Sequence, residues 1–131
     1  MDLGWTVNRK LVRVSIALVW LYQGLWSKVL GAVPHHLAVI SAVPFIGPVA
    51  GRAVLLILGV VESGLGIWVL TGRQLRNAAI AQTFLLAVMN AGGMIWAWRL
   101  IPDPIGMVLQ NFAFVLLIWT AAEVDPHVAN T

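Results

Sequence analysis

The sequence predicts an all-α membrane protein: an antiparallel four-helix bundle in one domain, residues 1–131, with a short interfacial segment between spans one and two. Three observations lead there. The first is composition: 60% of residues are hydrophobic, 10% are charged, and mean hydropathy is +0.90. A typical soluble domain carries about 25% charged residues, so this chain has too little polar surface to coat a soluble globule. The second is a set of four long apolar runs. The third is that the connectors between them hold five of the six prolines, as chain reversals at a membrane surface require.

The first run, Leu11–Leu30, carries Arg13 near its start and Lys28 near its end. Both positions let a long cationic side chain snorkel to the headgroups. The basic lead Arg9, Lys10 and Arg13 resembles the start of a signal peptide. The run is too long for one, however, Lys28 interrupts any processing region, and no A-x-A site follows closely, so a retained span is expected. The connector Gly31–Arg52 holds Pro34, Pro44 and Pro48 with Gly31, Gly47 and Gly51. Between them His36–Val43 is apolar but too short to span, which predicts a short helix at the interface or under the bundle mouth. Val43–Pro48 reads as a turn, and Pro48 is placed for the first turn of the next helix.

The second, third and fourth spans are expected over residues 53–70, 78–98 and 105–122. Runs of 18 to 21 residues rise roughly 27–31 Å as helices, matching the hydrocarbon core. Gly72 is the expected stop of span two. The short Thr71–Asn77 loop makes spans two and three antiparallel neighbours, and Pro102 and Pro104 do the same for spans three and four. The first ten residues are a short polar lead, and the tail after Ala122 is polar and expected to be loosely ordered.

Arg9, Lys10, Arg13, Arg73 and Arg76 fall on the side of the N-terminus, and Lys28, Arg52 and Arg99 on the other. The excess predicts both termini in the cytoplasm. The net charge of +3 and pI near 10.2 therefore reflect topology and anionic lipid, with no nucleic-acid partner expected. The chain has no cysteine, which excludes disulfides, thiol relays, thiolate zinc sites and iron–sulfur ligation by this chain.

Glu62 is the most informative residue: nine residues before it and ten after carry no charge. A carboxyl at this depth costs on the order of 3 kcal/mol to insert, and such groups mark functional sites by default. With the spans placed, Gln23, Lys28, Glu62, Asn90, Asp103 and Asn111 all lie between the bilayer centre and the outer surface. They are expected to face inward and meet one another, with Tyr22 and Trp26 beside them. Gly59, Glu62 and Gly66 share one stripe of span two, and Gly59 with Ser63 forms a small-xxx-small pair for close helix packing. Gly24 and Lys28 face one way on span one. Asn90 sits beside Gly92 and Gly93.

A neutral acid and an ion pair with Lys28 are the two forms open to Glu62. Either, set among amides, suits proton exchange or hydrogen bonding to a quinone-type carbonyl or a lipid headgroup. The rival reading is structural: polar contacts between spans, at about 0.6–2 kcal/mol each, suffice to fix register. The pair His35–His36 is read as ordinary interfacial histidine, because adjacent imidazoles point apart and no ligand pattern surrounds them; no metal site is expected. Trp5, Trp26, Trp68, Trp96, Trp98 and Trp119 fall near span ends as an aromatic belt, while Trp20 is deeper, beside Gln23.

The stretches VWLYQGLWSKVL (Val19–Leu30), LGVVESGLGIWVL (Leu58–Leu70) and PDPIGMVLQNFAF (Pro102–Phe114) resemble the DoxX-like family of small four-span bacterial membrane proteins. The resemblance lies in the order and spacing of Gly24 and Lys28, Gly59 and Glu62, Asp103-Pro104, and Asn111, and it covers nearly the whole chain. Gln23 departs from it, standing where many relatives would carry a histidine. The resemblance implies a multi-pass protein of the bacterial inner membrane. It also implies a role tied to quinone-linked redox enzymes, or to maturation and assembly of other proteins.

Three functions are therefore expected in order. The first is a redox-associated accessory subunit with a pocket for a quinone or lipid headgroup, a membrane or soluble redox partner and a possible second copy of itself. The second is an assembly or chaperone-like protein whose polar cluster is structural. The third, a transporter or proton path, ranks last because four spans without an inverted repeat leave little room.

Overall fold

The computed structural model describes residues 8–31 and 35–124. Among these residues the chain is helical and contains no strand. The polar lead before Asn8, Trp5, Pro34 and the tail after Val124 lie outside the described residues, as do the expectations attached to them.

Helix α1 spans Arg9–Leu21 and starts on a side-chain cap: Asn8 Oδ1 accepts from the Lys10 and Leu11 amides at 2.9 and 3.3 Å. Such a cap satisfies two of the four orphan amides of a helix start. The chain then continues without a break as a π-helical segment, Tyr22–Val29, whose last turn places Leu30 N 2.9 Å from Leu25 O. Residues 11–30, expected as the first span, thus fall on one continuous helical rod with a change of winding at its midpoint. Helix α2 spans His35–Ser41, close to the short interfacial segment expected at 36–43.

Helix α3 runs Gly47–Thr71, six residues earlier at its start than the charge-free run from Ala53. Pro48 in the first turn nucleates it, and Arg52 rides on its exposed first turns rather than bounding it. Gly72 ends it in the left-handed conformation at φ 70°, as expected of a glycine stop. Helix α4 spans Leu75–Trp96, a 3-10 turn covers Trp98–Leu100, and helix α5 spans Pro104–Val124. Three helical stretches, Val49–Thr71, Leu75–Trp96 and Pro104–Glu123, are long and apolar enough to cross a membrane.

Packing does not follow chain order throughout. α3 lies chiefly along α1 and the π segment, with α2 over its N-terminal part, while α4 packs on α5 and α1 touches α5. Contact between α3 and α4 is thin despite the tight turn joining them. The reason is the glycine face of α3. A methyl group placed on Gly59 would lie 2.8 Å from Gly24 O, and one on Gly66 would lie 3.1 Å from Ala17 O. Only residues without a side chain allow that approach, so the smallest face of α3 goes to α1 and the π segment.

The apolar core gathers at one end. Ile16 and Trp20 of α1, Leu65 and Val69 of α3, Leu75, Ala78, Ala79 and Leu86 of α4, and Ile118 and Ala122 of α5 form one buried cluster. Leu18, Ile57, Val60, Ile67, Phe84, Ile95, Leu109, Phe112 and Leu116 point outward. An exterior this apolar is what lipid-facing helices present and what a soluble surface avoids.

Candidate functional site

The polar residues expected to meet in one pocket form two separate groups. The first joins the π segment to α3. Lys28 Nζ donates to Glu62 Oε2 at 2.9 Å, and the two side chains are 8% and 0% exposed. This is the one ion pair among the described residues. Lys28 Nζ also lies 3.4 Å from the main-chain oxygen of Gln23, so Gln23 contributes its backbone rather than its amide. Glu62 Oε1 and Ser27 Oγ are buried with no hydrogen-bond partner among the described residues.

The local sequence explains this placement. Gly24, Ser27 and Lys28 are the buried residues of the π segment. A Cβ on Gly24 would sit 2.5 Å from Gly59 O and 2.7 Å from Ser63 N, so the two backbones touch here. Ser63 Oγ donates to Gly59 O at 2.8 Å, keeping its hydroxyl satisfied within its own helix. That contact leaves Lys28 one turn further along, level with Glu62. Helix α3 supplies the carboxylate from the same stripe as Gly59 and Gly66, all three being buried.

The second group joins α4 to α5: Asn111 Nδ2 donates to Asn90 Oδ1 at 2.9 Å, and Asn90 Nδ2 donates to Leu86 O at 2.7 Å. No hydrogen bond or ion pair links the two groups among the described residues. The separation follows from the packing order, which puts the α3 stripe against α1 and the asparagines between α4 and α5. Gly93 supports the second contact, since a Cβ there would meet Ile101 Cδ1 at 3.2 Å, whereas Gly92 faces open space.

Three residues assigned to the pocket lie elsewhere. Asp103 is exposed and its Oδ1 accepts from Gly106 N at 3.1 Å, so it caps the start of α5. Tyr22 and Trp26 are 54% and 52% exposed, on the face of the π segment turned away from α3. Trp20 is buried, but its partner is Gln82 rather than Gln23: the indole Nε1 donates to Gln82 Oε1 at 2.7 Å, and its ring lies 5.6 Å from Phe114. Gln82 is fastened in turn by Nε2 to Ala78 O at 3.0 Å. Trp119 Nε1 likewise donates to Thr83 Oγ1 at 2.8 Å. A buried indole needs an acceptor, and α4 provides both. His36 is half-buried on α2, and the side chain of His35 lies outside what is described.

Beside Lys28 a cavity of about 210 Å³ opens between the π segment, α2 and α3. Leu37 of α2 and Leu55 and Leu56 of α3 form apolar walls, and Lys28 and Arg52 are its two charged residues. Arg52 and Ser27 escape a sequence reading centred on mid-span charge. The available signal was depth: Arg52 lies before span two, on the same side of the bundle as Lys28.

Nothing among curated proteins and nothing among solved structures matches the chain. The DoxX-like family matches residues 17–119, which run from the third turn of α1 through most of α5 and so include both polar groups. With apolar, outward-facing helices and a family match across well over half its length, this membrane protein belongs to the DoxX-like family.

Proposed function

We propose that the chain is a redox-associated accessory protein of the bacterial inner membrane that holds a quinone or a lipid headgroup at the Lys28 cavity. In this reading it is an antiparallel four-span bundle with both termini in the cytoplasm, and it ties a redox partner to the membrane. One observation carries the ligand site: Lys28, whose ammonium pairs with the buried Glu62, lines a cavity that opens between helices. Ionised side chains in apolar surroundings are retained where they pair or act, and Lys28 does both if a ligand oxygen takes one of its remaining donors. The redox association rests on the family resemblance alone.

A second reading has its own support. The contacts Asn90–Asn111, Trp20–Gln82 and Trp119–Thr83 each join two helices through satisfied hydrogen bonds. That is the pattern of structural polar contacts, and it favours an assembly protein whose outward faces grip other spans.

Tryptophan quenching on reconstituted protein separates the two. Under the ligand reading, Glu62→Gln accumulates in membranes and binds decylubiquinone or phosphatidylglycerol more weakly than the parent. Failure of that variant to accumulate, with Lys28→Gln failing alongside it, supports the structural reading instead.

A further inference from the structure

We propose that the cavity between the π segment, α2 and α3 binds the phosphodiester headgroup of an anionic lipid, with Arg52 and Lys28 as its recognition residues. The inference rests on reading that cavity as a ligand site and names the ligand class.

Charge balance argues for it. Lys28 and Arg52 both line the cavity, but Lys28 is already matched by Glu62 at 2.9 Å. Arg52 has no carboxylate partner among the described residues. The local set therefore carries one uncompensated positive charge at a membrane interface. A singly charged phosphodiester neutralises it, whereas a neutral quinone leaves it unmatched. Free phosphate has no apolar part to cover the leucine walls. A guanidinium also presents paired donors that suit two phosphate oxygens, while Lys28 adds a point charge from the π segment.

Size and shape agree. The space of about 210 Å³ equals about seven water molecules at roughly 30 Å³ each, enough for a headgroup and too small for acyl chains. The chains have an exit: Leu30 and Leu56, both on the lining, are 63% and 38% exposed. Leu37 and Leu55 give the cavity apolar walls against which the carbon part of a headgroup can pack.

The test is a thermal-shift and native mass spectrometry titration of the full chain, purified in a neutral detergent. Its four arms are phosphatidylglycerol, phosphatidylcholine, inorganic phosphate and decylubiquinone. Phosphatidylglycerol is expected to be retained and to raise the melting temperature, more than phosphatidylcholine does and in a salt-sensitive way. Arg52→Gln, on an exposed position outside the ion pair, should weaken that binding at least tenfold, and Arg52→Lys should restore part of it. Protection by inorganic phosphate equal to that by lipid would overturn the lipid assignment. Equal protection by phosphatidylcholine would overturn the charge argument, as would an unchanged affinity in Arg52→Gln. Binding of decylubiquinone without phosphatidylglycerol sinks this inference but leaves the ligand site standing, and no binding in any arm sinks both.

Discussion

At the scale of single residues, the Lys28–Glu62 pair carries the most consequence. Each partner alone would be an uncompensated charge buried among apolar helices. Removing one partner of a buried pair costs about 3–5 kcal/mol, whereas replacing both by apolar side chains is often close to neutral. Lys28→Met is therefore expected to lower the melting temperature in detergent sharply. The double variant Lys28→Met, Glu62→Leu should recover most of the loss. A double-mutant cycle measures the coupling, which should reach at least about 2 kcal/mol. Additive losses would mean the two groups do not depend on each other. The amide pair is a weaker bond of a different kind. Asn111→Leu strands Asn90 Oδ1, and the expected cost, on the scale of about 0.6–1.7 kcal/mol for polar contacts between spans, is modest. Its thermal shift should accordingly be several times smaller than that of Lys28→Met.

At the scale of elements, the junction of the π segment with α3 sets where that pair can form. Gly24, Gly59 and Ser63 bring two backbones into contact, and a side chain at position 24 would enter the space of Gly59 O. Overpacking of this kind costs typically about 1–3 kcal/mol, and backbone is slow to give way. Gly24→Val should destabilise the fold and also pull Lys28 from Glu62. In that background Glu62→Gln should cost measurably less than it does in the parent, a comparison that unfolding curves provide. Equal cost in both backgrounds would separate the glycine contact from the ion pair. The π segment itself had no signature in the residues. Its i→i+5 winding is confined to Tyr22–Val29, and such windings collect at functional sites, here at the segment that supplies Lys28.

At the scale of the whole molecule, the bundle has two unlike ends. The dry cluster around Trp20, Leu75 and Ile118 occupies one, and the ion pair, the asparagines and the cavity occupy the other. The proposed ligand site and the apolar core therefore lie in different halves of the same helices. The proposed topology places the Gln74 turn in the cytoplasm and Asp103 outside. Because the chain has no cysteine, single cysteines report position directly. Gln74→Cys should react with a membrane-impermeant maleimide only after permeabilisation, and Asp103→Cys should react in intact spheroplasts. The reverse pattern would invert the orientation while leaving the packing untouched.

Composition and hydrophobic run length determined by themselves that this is a helical membrane protein, because a lipid exterior demands long apolar stretches that nothing local can disguise. The order of Gly24, Lys28, Gly59 and Glu62 likewise identified the family and the stripe on which the carboxylate sits. Helix starts were less legible: Pro48 was placed for the first turn of α3, but Arg52 belongs inside that helix while reading as a connector residue. Partnership among polar groups was decided only by tertiary packing. Depth along a span can be counted from the chain, and it placed six polar residues at one level. Angle around the bundle cannot, because it depends on which helix takes the glycine face of α3. That choice sent Lys28 to Glu62, Asn90 to Asn111 and Trp20 to Gln82.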